Sequence, residues 1–209
     1  MKIAVTGCKG KTGSKVYEVL KENGYDVIGI DKDTIRLDNV INSIDLLIDF
    51  TNKESALNNI NLCIKNKKEF ICASTGFKKE ELIQIKKMCE KANIKGVICY
   101  NFSIPISYLL NQFDCFNKYF DEITYFDIHH VSKIDKISGT TYLFKLKNDN
   151  IKIKSYKTFK NTITYVIQMS SKYDKMIVSY QVSDKKAFAI GLLNYLKTND
   201  DRGIINLLK

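Results

Sequence analysis

The sequence predicts an α/β protein: a doubly wound parallel sheet, plus a smaller α+β domain with a mixed or antiparallel sheet. Three observations predict it. The first hundred residues alternate short apolar strands with amphipathic helical stretches, the pattern of repeated β-α-β units. After Asn101 that alternation gives way to period-2 stretches, DEITYFDIHH and ITYVIQMSSKYDKMIVSYQV, which read as antiparallel strands. From Asp184 the chain returns to helix in KKAFAIGLLNYLK. No linker, repeat or low-complexity stretch intervenes, so the second domain reads as an insertion. Residues 1–103 with 184–209 form the first domain and 104–183 the second.

Taken in order, KIAVT is a strand, and KTGSKVYEVLKENG is a helix closed by Gly24 as its C-cap. YDVIGID and IDLLIDF are the next two strands. ESALNNINLCIKNK is a helix with Ala56, Ile60, Cys63 and Ile64 on one stripe. EFICAS is a fourth strand, KKEELIQIKKMCEKAN a helix and KGVICY a fifth strand. Pro105, the only proline, precedes the apolar-periodic helix ISYLLNQFDCFNKYF.

Composition excludes several classes. With 209 residues, 44% of them hydrophobic and 27% charged, the chain has the make-up of a globular protein able to bury a core. No window approaches the roughly 18 apolar residues of a membrane span. MKIAVTG runs straight into a strand, so no signal peptide is expected and the expected compartment is the cytoplasm. The six cysteines, Cys8, Cys63, Cys72, Cys89, Cys99 and Cys115, form no CxxC pair and read as free thiols; no spacing fits a metal site. The net charge of +10 comes from lysines interleaved with acids and asparagines, and arginine occurs only at Arg36 and Arg202. That pattern argues against nucleic acid as a partner and for attraction of small anions.

VTGCKGKTG sets Gly7, Gly10 and Gly13 between a strand and a helix. Such glycines permit a tight turn and let backbone N–H groups approach a pyrophosphate at a helix N-terminus. The spacing is a variant of the usual GxGxxG. At the end of the second strand, Asp31 can bond the ribose hydroxyl of NADH, and Lys32 can accept the extra phosphate of NADPH. IDFT and STGF read as the ends of parallel strands, where Phe50, Thr51, Ser74 and Thr75 would line a ligand crevice.

The stretch HHVSKIDKISGTT holds both histidines of the chain. With the glycine loop, with IDFT at 48–51, and with STGF at 74–77 and NFS at 101–103, it resembles the motifs of the dihydrodipicolinate reductase (4-hydroxy-tetrahydrodipicolinate reductase) family, in the family's order. KKAFAIG near the C-terminus resembles a family segment too, so the likeness runs over nearly the whole chain.

The resemblance implies a Rossmann domain built from both chain ends and a substrate and assembly domain between them. It implies NADPH or NADH reducing a cyclic imine dicarboxylate in lysine and diaminopimelate biosynthesis, in a homo-oligomer, tetramer or dimer. Carried onto this sequence, the general acid falls on His129 and the charge-stabilising lysine on Lys133. Substrate contacts fall on His130, Ser138, Gly139, Thr140 and Thr75. Cofactor contacts fall on Gly7, Gly10, Lys11, Thr12, Gly13, Asp31, Lys32, Phe50, Thr51, Ala73, Thr75, Asn101, Phe102 and Lys185. The sequence departs from the family pattern at Val131, Ser132, Lys136 and Ile137, and the stretch between Thr141 and Ser183 is short.

The residues themselves agree with this chemistry. Hydride transfer to an unsaturated bond leaves negative charge that needs a proton, most easily from histidine, and a fixed ammonium nearby. In SGT, Gly139 allows close backbone approach and the two hydroxyls add donors; Ser138 also reads as a helix N-cap. Neighbouring strand residues face opposite ways, so His129 and His130 divide roles. Two other readings remain open: a related amino- or imino-acid dehydrogenase with another substrate, and a nucleotide-binding homologue without turnover.

Overall fold

The computed structural model describes residues 1–131, 138–160, 162–199 and 205–208. In chain order the elements are β1 (Lys2–Thr6), α1 (Gly13–Glu22), β2 (Asp26–Ile30), α2 (Leu37–Val40), β3 (Leu46–Asp49), α3 (Lys53–Lys65), β4 (Glu69–Cys72), α4 (Lys79–Ala92) and β5 (Gly96–Ile98). There follow α5 (Ile104–Tyr119), β6 (Glu122–His130), α6 (Gly139–Lys147), β7 (Lys152–Thr158), β8 (Ile163–Ser170), β9 (Lys175–Val182) and α7 (Lys186–Thr198). They form two compact units, one of Met1–Ser103 with Lys185–Lys209, the other of Ile104–Asp184.

The first unit holds a parallel sheet in the order β2-β1-β3-β4-β5. Its strands are apolar along their middles because both faces are covered. Ile3, Val5, Ile48, Ile71 and Val97 face α1 and α7, which contribute Val16, Leu20, Ala189 and Leu192. Ala4, Leu47, Phe70, Cys72 and Ile98 face α3 and α4, which contribute Ile60, Cys63, Ile85 and Cys89. Each Val, Leu, Ile or Phe among them contributes roughly 1.5–3 kcal/mol through burial.

The caps follow the local sequence. Asn52 starts α3, its side-chain oxygen accepting from the Ser55 N–H at 3.1 Å. Glu81 reaches back to the Lys78 N–H at the start of α4. The end of α1 closes through Gly24, whose N–H donates to Lys21 O while that of Tyr25 donates to Leu20 O. The open edge at β5 is occupied by a C-terminal segment: the Leu207 N–H donates to Ile98 O at 2.8 Å, and Asn206 accepts from the Ile98 N–H. That contact blunts an edge that would otherwise be unpaired.

The second unit holds a sheet in the order β7-β6-β8-β9. β6 pairs parallel with β7, and β6–β8 and β8–β9 are antiparallel. The sheet is therefore mixed, because α6 carries the chain from β6 to a parallel neighbour that the sequence reading left out. One face packs Ile123, Tyr125, Tyr165, Ile167 and Met169 into the core with Phe113 of α5 and Phe144 of α6. Phe144 lies 4.9 Å, ring centre to ring centre, from both Phe113 and Tyr125. The other face of this sheet carries Phe126 and Ile128, half-buried, with Tyr156 and Ile177 exposed.

No described helix is long and apolar enough to cross a membrane. The cysteines are free: Cys63, Cys72, Cys89 and Cys99 are buried, while Cys8 is half-buried and Cys115 exposed. Burial pushes the thiols of Cys63 and Cys99 up to about 12, which keeps them unreactive.

Candidate active site

In the first unit the glycine loop leaves β1 and doubles back into α1. Gly7 has φ +73°, and its N–H donates to Ile30 O at 2.9 Å. A Cβ there would lie 2.6 Å from the Phe50 carbonyl oxygen, and one on Gly13 would lie 2.1 Å from Gly7 O. The first glycine thus serves a left-handed turn pressed against the end of β3. The third lets the first turn of α1 close on the loop. The result aims the N-terminus of a ten-residue helix at the carboxyl edge of the sheet, where backbone N–H groups favour an anion.

Beside this loop lies a crevice of about 930 Å³, lined among others by Gly7, Gly10, Asp31, Lys32, Arg36, Phe50 and Thr51. Its charges are tied down. Asp31 Oδ2 accepts from the Lys9 N–H at 2.8 Å, and its Oδ1 accepts from the Lys32 N–H at 2.9 Å. Arg36 pairs with Asp38 at 3.0 Å. The shape, the helix start and the mixed acid and base at the end of β2 fit a dinucleotide. Lys9, inside the glycine loop, and Arg36, six residues beyond the second strand, also line the crevice and were missed by sequence reasoning; Arg36 belongs to no motif, and only its position after the second strand could have signalled it.

The remaining sequence-predicted contacts of this unit lie apart from the crevice lining. Lys11 is exposed and Thr12 precedes the first turn of α1. Ala73 is half-buried and Thr75 exposed, beyond the end of β4. Asn101 is buried, its Oδ1 accepting from the Ser103 N–H at 2.6 Å. Phe102 belongs to the core and its ring lies 6.2 Å from that of Phe50. Lys185 is half-buried at the start of α7; burial first, and then the charge of Lys11, hold its ammonium below the usual lysine range. A phosphate between these two lysines would relieve both costs.

The crevice wall is organised by a residue that the sequence reading passed over. Asp49, the last residue of β3, is 1% exposed. Its Oδ2 accepts from Thr6 Oγ1 and from Asn59 Nδ2, both at 2.7 Å. Its Oδ1 accepts from the Thr51 N–H at 3.0 Å, Thr51 Oγ1 at 2.8 Å and Ser74 Oγ at 2.9 Å. Five donors satisfy a buried carboxylate and tie together the ends of β1 and β3, the loop after β4, and α3.

The second unit gathers the histidine cluster. His129 is 7% exposed, on the core face of β6, while His130 is half-buried on the opposite face. His129 Nε2 lies 2.6 Å from Asp127 Oδ1, an ion pair when the ring is protonated. The His129 ring meets Tyr165 edge-on at 5.8 Å. Ser138 is the N-cap of α6, its Oγ accepting from the Thr141 N–H at 3.1 Å. The Thr140 hydroxyl donates to Tyr165 Oη at 3.0 Å. Both hydroxyls are thus engaged within the unit, and what the helix start offers a carboxylate is its first backbone N–H groups, at Gly139 and beyond. Lys133 lies outside the described residues, as do Ser132, Lys136 and Ile137. Among the described residues no group of three or more His, Cys, Asp or Glu could hold a metal ion.

Comparison with known proteins bears on both units. Residues 1–102 match the family model described as "Dihydrodipicolinate reductase, N-terminus". The 4-hydroxy-tetrahydrodipicolinate reductase of Wigglesworthia glossinidia brevipalpis is 30% identical over 209 residues, covering 94% of this chain and 78% of that protein. That of Blochmanniella floridana is 29% identical over 178 residues, covering 69% of this chain and 64% of that protein. Among solved structures, the dipicolinate-bound dihydrodipicolinate reductase from Paenisporosarcina sp. TG-14 superposes with a TM-score of 0.74 at 18% identity, covering 94% of this chain and 93% of that one. The motifs, the two-unit fold and these matches agree: the chain belongs to the dihydrodipicolinate reductase family of NAD(P)H-dependent oxidoreductases.

Proposed function

We propose that the protein reduces 4-hydroxy-tetrahydrodipicolinate to tetrahydrodipicolinate in lysine and diaminopimelate biosynthesis. The first unit binds the nucleotide and the second unit binds the substrate. NAD(P)H, when bound, supplies the hydride. The glycine loop, Lys11 and Lys185 hold its pyrophosphate, while Asp31 and Lys32 face the adenosine ribose; Phe50, Thr51, Ala73, Thr75, Asn101 and Phe102 complete its surroundings. The 4-hydroxyl of the substrate leaves as water, and His129 gives the proton on its ring nitrogen to the substrate atom that gains charge as hydride arrives; the neutral imidazole is reprotonated from water. Lys133 steadies the developing charge. The start of α6, Ser138–Gly139–Thr140, holds a substrate carboxylate through its backbone N–H groups, and His130, the last residue of β6, contacts the substrate separately.

The observation that carries this reading is the close placement, within one unit, of a proton donor and a helix start suited to a carboxylate, both touching Asp127. The enzyme works in the cytoplasm as a homo-oligomer. In support of the latter, the second sheet's outer face presents Phe126, Ile128, Tyr156 and Ile177, an apolar surface of the kind that oligomers cover.

The test is oxidation of NADPH and of NADH by the purified chain, with the unstable substrate generated in situ from pyruvate and aspartate semialdehyde by a separate synthase. Synthase-dependent turnover is expected. Nucleotide binding without turnover would overturn the assignment in favour of another imino-acid substrate or a binding protein.

A further inference from the structure

We infer that Asp127 is the positioning residue of the reaction: one buried carboxylate holds the proton donor by one oxygen and the carboxylate-binding turn by the other. This rests on the reading of His129 and α6 given above and extends it to a residue with no assigned role.

The sequence makes the arrangement possible. Asp127 and His129 are two apart on β6, so both side chains leave the same face of the strand. That face is the core face, and Asp127 is 1% exposed. A carboxylate there costs several kcal/mol unless it is hydrogen-bonded and paired. Its Oδ2 accepts from the Thr141 hydroxyl at 2.7 Å and from the Ser138 N–H at 3.2 Å. Its Oδ1 lies 2.6 Å from His129 Nε2, a charge contact whose geometry is not that of an aligned hydrogen bond. The two oxygens therefore face different parts of the site, and neither could be replaced by an apolar side chain without loosening one of them.

Two chemical consequences follow. The carboxylate lies against the ring and fixes its place along the strand. The same group pins the N-terminus of α6, so the helix start and the imidazole keep a fixed separation. A substrate held by its carboxylate at Gly139 then meets the proton donor at one distance. Among the described residues, the other charged or titratable side chains placed beside His129 are Tyr165, edge-on from β8, and Lys157, its register partner on β7. Neither offers a negative charge that could substitute for Asp127 at neutral pH.

The experiment is a double-mutant cycle in the full-length chain with two independent readouts. Asp127→Asn, Asp127→Glu, His129→Ala and the Asp127→Asn/His129→Ala pair are compared for kcat, for substrate KM and for NADH affinity by fluorescence. Asp127→Asn is expected to lower kcat about 10–100-fold, within the range of one general acid's contribution, with NADH affinity unchanged. Asp127→Glu, which keeps the charge, recovers part of the loss. The double variant is expected to be no slower than His129→Ala alone, since both changes strike one unit. Losses that multiply, or wild-type kcat in Asp127→Asn, would overturn the proposal.

The second readout needs no turnover. The chain has two imidazoles, so its histidine ring resonances are few. In the ligand-free protein, Asp127→Asn should move the ring signals of His129 and the backbone amide of Ser138 together and leave those of His130 in place. Unmoved His129 and Ser138 signals would overturn the role assigned to Asp127. If the wild-type chain reduces no imine, the function proposed above fails, and the resonance shifts still decide whether this carboxylate holds both partners.

Discussion

Asp49 and Asp127 are both 1% exposed, one in each unit, yet their surroundings differ in kind. Asp49 is encircled by donors that do not titrate: Thr6, Thr51, Asn59 and Ser74. Such a ring keeps one state and holds strand ends in register. Asp127 shares its carboxylate between a helix start and an imidazole. One of its partners is an imidazole, so the same buried chemistry is suited to the reaction proposed above. The difference teaches that a buried acid is read by its partners: neutral donors make it a clamp, and a histidine suits it to the positioning role proposed here.

Substitutions can break that contrast or sharpen it. The largest effect is expected for Asp49→Ala, which strands four side-chain donors and should lower stability by roughly 3–5 kcal/mol, read as the urea midpoint, with cofactor affinity falling alongside. If Asp49→Ala instead spared stability and cost only kcat, the clamp reading would be wrong. Next, Lys133→Ala should lower kcat by about 100-fold or more, the scale of a lost charge stabiliser, while NADH binding persists; equal loss of both would remove Lys133 from its proposed role.

A smaller effect is expected from Lys185. Its pKa is depressed in the free protein by burial and then by Lys11, and an anionic cofactor would raise it again. Binding therefore favours the protonated lysine. Affinity is full below the free-state pKa and falls as alkaline pH rises through the higher bound-state pKa, by up to about tenfold per unit of difference. NADH titrations across alkaline pH should show this slope in the wild type and lose it in Lys185→Ala. The smallest is Ser138→Ala, which removes an N-cap and should cost about 1 kcal/mol, measured by thermal melting; a much larger loss of kcat than of stability would show that the Ser138 hydroxyl itself, and not only the helix start it caps, holds the substrate.

Much of the first unit was legible because its strands and helices repeat a strong pattern, and because Gly7, Gly10 and Gly13 sit where a turn must run between strand and helix. Asp49 was hidden by the same pattern: it closes the apolar run of β3, and nothing local shows that five donors converge on it from distant elements. Asp127 was hidden for a sharper reason. On β6 the core face carries Asp127 and His129, while the opposite face carries Phe126 and Ile128, so hydrophobic alternation points the wrong way. β7 was missed since its sequence KIKSYKT is mostly exposed at a sheet edge, which leaves little apolar signal. Ser138 was legible as the N-cap of α6, and the structure displays that role.

The last helix, α7, covers one face of a sheet whose strands all precede residue 99. On the ribosome, the sheet and α1 emerge first and the second unit follows as one uninterrupted stretch. Ala189, Leu192 and Leu193 arrive only afterwards, and Asn206–Leu208 reach β5 last of all. The nascent nucleotide-binding unit must therefore wait, with one apolar face covered by α1 alone, through the synthesis of some eighty intervening residues, 104–184. At translation rates of about 5–20 residues per second that wait lasts seconds, which makes this half the one that chaperones would meet.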